Sequence, residues 1–359
     1  MSWLTDDDAP RDYDEYDESA ARVRPNPKGN KPRTKTRPEH SDSVIGRVFA
    51  VDRGRFSVLV DEGNRDERTV SATKARELGR NSIVTNDFVS VVGDTTGDEG
   101  SLARIVSVEE RTTLLRRSAD DTDAVERIIV ANADQMLIVV AAANPEPRPR
   151  LVDRYLVAAF DAGIRPILVI TKTDLADPEE FLANFAGLEL RVIRSRSDEF
   201  PGDELTELLQ EHTTVAVGHS GVGKSTLVNA LVPDANRAVG LVNRVTGRGR
   251  HTSSSTISYR IGSGWIIDTP GVRSFGLGHV DPDNILGSFG DLAAIAEDCP
   301  RGCTHLPDAP DCAIVEAAGR GELGAIGELR LDSLQRLLTT LAPSRTSGTE
   351  AGRWSAPPR

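Results

Sequence analysis

The stretch GHSGVGKS at 218–225 constrains this chain more than any other. It fits G-x-x-x-x-G-K-[ST], it follows the apolar run TVAV, and it precedes the helix-forming run STLVNAL. A strand, a glycine turn and a helix N-terminus in that order form a phosphate cradle. The glycines let several backbone N–H groups point inward, and the helix dipole adds positive potential. Gly218, His219, Ser220, Gly221, Val222 and Gly223 supply the loop. Lys224 is placed to reach the β- and γ-phosphates, Ser225 to ligate Mg²⁺, and Thr226 follows as the helix starts. A second motif, DTPG at 268–271, follows the run WII. Its Asp268 is a candidate to hold Mg²⁺, and Gly271 can offer its N–H to a γ-phosphate.

A third stretch, TKTD at 171–174, follows the apolar strand PILVI. Asp174 can accept hydrogen bonds from the ring N–H and exocyclic amine of guanine, donors that adenine lacks at those positions. Lys172 can lay its stem along the base. Thr171 and Thr173 complete the turn, and Thr171 is a hydroxyl variant of the usual Asn, with one tether weaker. A backbone loop touching the base is expected after the next strand, near Ser195–Ser197. The base loop precedes the phosphate loop, the reverse of an ordinary GTPase. One domain accommodates both if its chain is circularly permuted, its old termini joined between DELTELLQEH and TVAVG and its new break placed after DTPG.

The surrounding pattern agrees. From 119 to 276 the runs QMLIVVAAA, PILVI, LRVIRS and TVAVG alternate with the helical runs RLVDRYLVAAFDAG, PEEFLANFA, DELTELLQEH and KSTLVNALV. Continuous apolar strands alternating with helices predict a buried parallel sheet. TISYRI and GWIIDTP predict a hairpin. Upstream, residues 43–118 hold five short β-type runs separated by Gly, Asn and Asp, which predicts a small barrel of OB or SH3 type. Twelve basic and twelve acidic residues balance there, so RNA binding does not follow from its composition. Residues 277–342 are helical, and 1–42 and 343–359 lack apolar periodicity and are expected to be disordered. The arm pairs an acidic block with a basic, proline-rich one, and either contact with RNA phosphates or simple solubilisation suits it.

All three cysteines fall at 299, 303 and 312 with His305 among them. An odd, clustered set with a histidine suits tetrahedral Zn²⁺ better than disulfides. Cys299, Cys303, His305 and Cys312 leave no open coordination position, so the ion is structural, one per chain. The net charge of −12 argues against a generally basic nucleic-acid coat. No apolar run reaches the ~20 residues of a membrane span, and the N-terminus is acidic where a signal peptide would be basic, so a cytoplasmic protein is expected. The chain has only six lysines among 43 basic residues, and two of the six are Lys172 and Lys224, where an ammonium is useful.

Val272 stands directly after the DTPG glycine, where many GTPases place a water-orienting Gln. His251, in GRGRHTS, is the nearby catalytic candidate, and an exposed loop histidine is the plainer reading. Arg244, Arg248 and Arg250 either grip RNA phosphates or form a solvated face. A P-loop ATPase or kinase, and a nucleotide-gated RNA scaffold with negligible turnover, are the competing classes. With TKTD, GHSGVGKST, GRGRHTSSST, DTPGVRSFGL and the cysteine cluster in that order, the chain from about 43 to 340 resembles the ribosome small subunit-dependent GTPase A family. The resemblance implies an N-terminal OB barrel, a circularly permuted GTPase and a C-terminal zinc domain. It also implies GTP hydrolysis, with Mg²⁺, stimulated by the small ribosomal subunit and its rRNA late in that subunit's maturation. It points to His251 as catalytic. Thr252 is the chosen switch Mg²⁺ ligand, with Ser253 the alternative. The metal spacing, x₃ and x₆, departs from the family's more frequent x₄ and x₅. A monomer is expected. Because only VRSFG separates DTPG from 277, movement of that loop is expected to reorient the helical domain.

Overall fold

The computed structural model describes residues 40–52, 54–79, 82–118, 126–232, 256–269, 275 and 277–341. Five strands form the N-terminal barrel, with β2 buried from Phe56 to Val60: β1 (Val44–Asp52), β2 (Arg55–Val60), β3 (Arg68–Lys74), β4 (Phe88–Gly93) and β5 (Ala103–Val108). They run in the order β1-β2-β3-β5-β4, and β4 closes back onto β1, with β3 and β5 parallel. This is a five-stranded closed barrel of OB type. Val48, Val58, Val70, Val89 and Ile105 fill it, each with no solvent exposure. Of its three phenylalanines only Phe56 is fully internal; Phe88 sits at the rim under the guanidinium of Arg47, 4.5 Å from the ring centroid.

A hairpin of β6 (Leu114–Ser118) and β7 (Glu126–Ala131) leads out of the barrel. Next come β8 (Gln135–Ala141), α1 (Pro149–Asp161), β9 (Arg165–Thr171), α2 (Glu179–Ala183), β10 (Arg191–Arg194) and α3 (Gly202–Leu209). After them follow β11 (Thr213–Gly218), α4 (Lys224–Leu231), β12 (Ile257–Ile261) and β13 (Gly264–Asp268). In space the strands run β10-β9-β8-β11-β13-β12, all parallel except β12. Counting from β11 as the first strand, this order becomes 2-3-1-4-5-6. The sheet is therefore an ordinary doubly wound one whose chain begins at its fourth strand. β11 lies at its centre, at the switch point where such sheets bind ligands.

All seven residues of β8 are buried, as expected of a strand covered on both faces. One face packs Leu137, Val139 and Ile167 against α3 and α4 through Leu205, Leu209, Leu227 and Val228. The other packs Met136, Ile138 and Leu168 against Val152, Tyr155, Leu156 and Ala159 of α1, the apolar stripe of a helix with Pro149 in its first turn. The predicted helix PEEFLANFA is shorter than its sequence suggests: only Glu179–Ala183 is helical, and Asn184 to Leu188 continue as turns.

The C-terminal part comprises α5 (Pro282–Gly287), α6 (Gly290–Ala296), α7 (Ala313–Gly319) and α8 (Gly324–Leu341). Leu331, Leu334, Leu337 and Leu338 of α8 join the same apolar cluster as α1, together with Phe275, Phe289 and Leu292. Phe275, just beyond DTPG, meets Tyr155 edge to face at 5.8 Å, and its carbonyl accepts from Arg154 at 3.1 Å. Within the segment expected to swing the helical domain, Phe275 is thus anchored on α1, and the helical domain shares that core. No described helix is long and apolar enough to cross a membrane.

Candidate nucleotide site and metal centre

The phosphate loop after β11 and the TKTD loop after β9 meet beside Asp268 at the end of β13. In the first, Gly218 lies so close to β8 that an added Cβ would be 2.6 Å from the Val139 carbonyl oxygen. Gly223 caps α4 with φ 93°, a left-handed conformation that favours glycine. Lys224 is buried, while Ser225 and Thr226 are exposed at the start of α4. Ser220 and Gly221 are exposed at the loop's tip, and His219 turns its Nδ1 toward the Ser220 carbonyl at 3.0 Å.

At the end of β13, Asp268 forms an ion pair with Lys224. β11 and β13 are paired through Ala216 and Asp268, so the sheet register itself brings this carboxylate to the phosphate loop. The following residue, Thr269, is held by a 2.7 Å bond from its hydroxyl to the Ala216 carbonyl. Tyr259, on β12 opposite Ile266, has its phenol pushed up to about 12 by burial, with the Asp268 charge adding to the shift. Asp268 carries a carboxylate and Ser225, at the exposed start of α4, a hydroxyl; both are hard oxygen donors of the kind that suits Mg²⁺.

The TKTD loop is tied to the phosphate loop rather than merely near it. Thr171 Oγ1 is 2.6 Å from the Val222 carbonyl and 3.3 Å from that of Val140; its single proton serves the shorter contact. Thr171 thus keeps a tether to the phosphate loop through its hydroxyl. Lys172, at φ 57°, sends its ammonium to the carbonyls of Gly221, at 2.9 Å, and of Asn144. A non-glycine residue in this conformation is uncommon and recurs at functional sites. Asp174 accepts from the Ser197 amide at 3.1 Å and the Ser197 hydroxyl at 2.8 Å. These bonds, the hydroxyl's first, hold its carboxyl below the usual carboxylate range, so it is an anion and acceptor at neutral pH. Ser195, buried, accepts at its carbonyl from the Thr173 amide at 3.3 Å. The sequence places a loop near Ser195–Ser197 with Ser195 as the site residue; the structure gives the bonds to Asp174 to Ser197, and it adds Asn144, which the sequence did not point to. His251, Thr252, Ser253, Gly271 and Val272 lie outside the described residues.

The second constellation is Cys299, Cys303, His305 and Cys312, whose ligand atoms all lie within 4.8 Å of one another. Cys299 Sγ is 3.9 Å from Cys312 Sγ, and both sulfurs are 3.7 Å from His305 Nδ1. A tetrahedral site with Zn–S of about 2.3 Å requires edges of about 3.8 Å. Three thiols and one imidazole at that spacing can hold one zinc ion. Burial depresses the basicity of His305, favouring the neutral imidazole that binds metal. The x₃ and x₆ loops are accommodated by left-handed residues at Gly302, His305 and Asp311, with φ of 77°, 53° and 53°. Gln335 of α8 donates to the His305 carbonyl at 3.2 Å, binding the centre to the helix that reaches α1.

A P-loop, a TKTD loop tied to it and a parallel sheet whose first strand lies in the middle of the chain define a circularly permuted GTPase. Comparison with known proteins agrees. The family model of the RsgA GTPase matches residues 108–278. The chain is 35% identical over 315 residues to a protein of Vibrio vulnificus strain YJ016 named small ribosomal subunit biogenesis GTPase RsgA 1, covering 85% of this chain and 86% of that one. It is 36% identical over 313 residues to the small ribosomal subunit biogenesis GTPase RsgA of Pseudomonas putida strain F1, covering 83% and 86%. The fold is similar to the crystal structure of YjeQ from Thermotoga maritima, with TM-score 0.60, 24% identity and coverage of 83% and 98%. It is equally similar to that of YloQ, a circularly permuted GTPase, with TM-score 0.60, 24% identity and coverage of 84% and 96%. The chain belongs to the RsgA GTPase family, and it is a GTP-hydrolysing enzyme.

Proposed function

We propose that this GTPase acts in the cytoplasm on the small ribosomal subunit late in its maturation, that the subunit and its rRNA stimulate GTP hydrolysis, and that hydrolysis releases the enzyme. The relatives described above are named as GTPases of small ribosomal subunit biogenesis, which supports the subunit as the place of action. The observation that supports guanine nucleotide as the ligand is the pair of ties in the base loop: Thr171 to the phosphate loop and Ser197 to Asp174. An ionised Asp174, held with its carboxylate pre-aimed, accepts the two donors of guanine and finds none on adenine.

In this reading Lys224 leaves Asp268 for the β- and γ-phosphates, and the backbone of residues 218–223 cradles them. Asp268, Ser225 and either Thr252 or Ser253 would hold Mg²⁺, which neutralises charge on the β- and γ-oxygens. Gly271 offers its N–H to the γ-phosphate. His251 takes the place of the water-orienting residue that Val272 cannot be. Zinc at the cysteine cluster is structural. The enzyme works as a monomer, with domains at 43–118, 119–276 and 277–342.

Measuring GTP turnover with and without purified small subunits tests the reading as a whole; equal rates would remove the subunit from it. Asp174→Asn should weaken GTP on the order of 10- to 100-fold, the loss of a charged hydrogen bond, and improve xanthosine triphosphate. His251→Ala should keep nucleotide affinity and lose the stimulated turnover, the pattern of an interaction made only in the transition state.

A further inference from the structure

Four residues stand side by side across the sheet on one ladder row: Ala50 on β1, Ile257 on β12, Asp268 on β13 and Ala216 on β11. Among the described residues, Ala50 is the only one through which the barrel pairs with the nucleotide-binding sheet. The barrel therefore joins the sheet in the very row that carries Asp268. With strands ~4.8 Å apart, Ala50 lies roughly 10 Å from that residue, two strands away. A bulge makes the contact: Val48 pairs with Val58 and Ala50 with Ser57, so Phe49 is extra and β1 bends toward β12.

Two polar ties reinforce the row. Thr85, 2% exposed, donates its hydroxyl to the carbonyl of Thr256 at 3.1 Å, one residue before β12 begins. Its own carbonyl accepts from the Ala131 amide at 3.3 Å, and it bridges to Val130. One buried residue thus joins barrel, β7 and β12. At the other end of β13, Glu62 divides its carboxylate. Oε1 accepts from the Trp265 indole at 2.7 Å, and Oε2 from Arg47 Nε at 2.8 Å. Without the barrel, β12 would be a free edge, fixed on one side only. β11 holds the β12–β13 hairpin from one side, and these contacts brace it from the other.

We infer that Thr85 is a positioning residue for the Mg²⁺·GTP site, acting through Thr256 and the shared row on Asp268. The inference rests on the reading of Asp268 as the metal's carboxylate. Thr85 touches neither nucleotide nor metal. A load on the barrel is transmitted to the metal's ligand along the sheet, with no need for the helical domain to turn.

The test compares Thr85→Val, which keeps the shape and removes the donor, with Thr85→Ser, which keeps the donor, and with Asp268→Asn. Mn²⁺ is titrated into the GDP complex of the full chain and followed by electron paramagnetic resonance, alongside GTP turnover. Thr85→Val should weaken Mn²⁺ about fivefold and slow turnover by about as much, the size of one neutral hydrogen bond, with metal-free GDP affinity within about twofold of wild type. Thr85→Ser should restore both. Wild-type Mn²⁺ affinity in Thr85→Val, or equal impairment in Thr85→Ser, overturns the inference. If Asp268→Asn also binds Mn²⁺ normally, the reading of Asp268 fails; if it alone is impaired, only the positioning role fails. Should Thr85→Val disturb the barrel, which the emission of Trp265 reports, Glu62→Ala releases the other end of β13 and carries the same expectation.

Discussion

The barrel and the C-terminal helices both flank the GTPase sheet, and they are joined to it by different physics. The helices share its core. Leu331, Leu334 and Leu337 of α8 and Val152, Tyr155 and Leu156 of α1 belong to one unbroken apolar cluster. Each such side chain contributes about 1.5–3 kcal/mol by burial. The barrel has a core of its own, separate from both clusters of the sheet. Among the described residues its attachments include one ladder pair, the Thr85 and Glu62 bonds, the bonds of Asn86 to Ala131 and Asn132, Arg47 over the Trp265 ring, and a surface ion pair between Arg260 and Glu67 at 2.7 Å. An apolar joint has many equivalent contacts and no direction, so it holds a domain as a block. A polar joint depends on a few aimed bonds, and it can be opened one bond at a time.

The difference is open to direct attack. Removing a zinc ligand should have the largest effect. Cys312→Ala, at a site 1% exposed, should abolish bound zinc by metal analysis and expose the amides of α5–α8 to hydrogen exchange. Structural zinc contributes on the order of 10 kcal/mol in small domains. Because α8 and α1 share a core, α1 should lose protection with them while β1–β5 keep theirs. Loss confined to α7 would show that the joint is not cooperative.

Next is Arg336→Ala. Arg336 lies over the Phe185 ring, donates to the Asn184 carbonyl, and pairs at 3.1 Å with Asp153, which is 2% exposed. Stranding that carboxylate should cost about 3–5 kcal/mol, measured by denaturant unfolding. Burial already holds the Asp153 carboxyl above the usual range, against the pull of Arg336. Between the ordinary carboxylate pKa and the raised one, the folded state keeps a proton that the unfolded state has released. This group's contribution is therefore most favourable at low pH and declines as pH rises through that window. The variant, lacking the guanidinium, should show a wider window and a steeper decline.

At the barrel, Trp265→Phe keeps a ring beside Arg47 and deletes the indole donor. A loss of about 1 kcal/mol is expected, with faster exchange in β1 and none in α8. Arg260→Ala should be smallest, below ~1 kcal/mol, because both its side chain and that of Glu67 are substantially solvated, at 40% and 30% exposed.

Local order was legible in the sequence and long-range pairing was not. GHSGVGKS, TKTD, DTPG and the cysteine cluster each carry a spacing imposed by what they hold, and the alternation of apolar runs gave the parallel sheet. Phe275 shows the limit. As a letter after a short linker it suggested a swinging domain, and only the fold brings it against Tyr155, 120 residues upstream. Thr85 shows it again, since an isolated threonine in a loop has no period or motif, and its partner carbonyl lies 171 residues away. Ser197 lies between, in the expected loop but without a signal that it, rather than Ser195, would grip Asp174.

The central place of β11 has a consequence for how the molecule is made. In an unpermuted chain the phosphate-loop strand is synthesised first, and its neighbours add outward on both sides. Here β8 and then β9 and β10 leave the ribosome before Thr213–Gly218 exists. They can pair among themselves, yet β8, apolar along its whole length, keeps one hydrogen-bonding edge open until β11 arrives. Vectorial folding must hold that edge in waiting, and β11 must then enter beside it with β13 still to come. A nascent chain stalled before residue 213 is accordingly the most aggregation-prone intermediate on the route, and the one most in need of a chaperone.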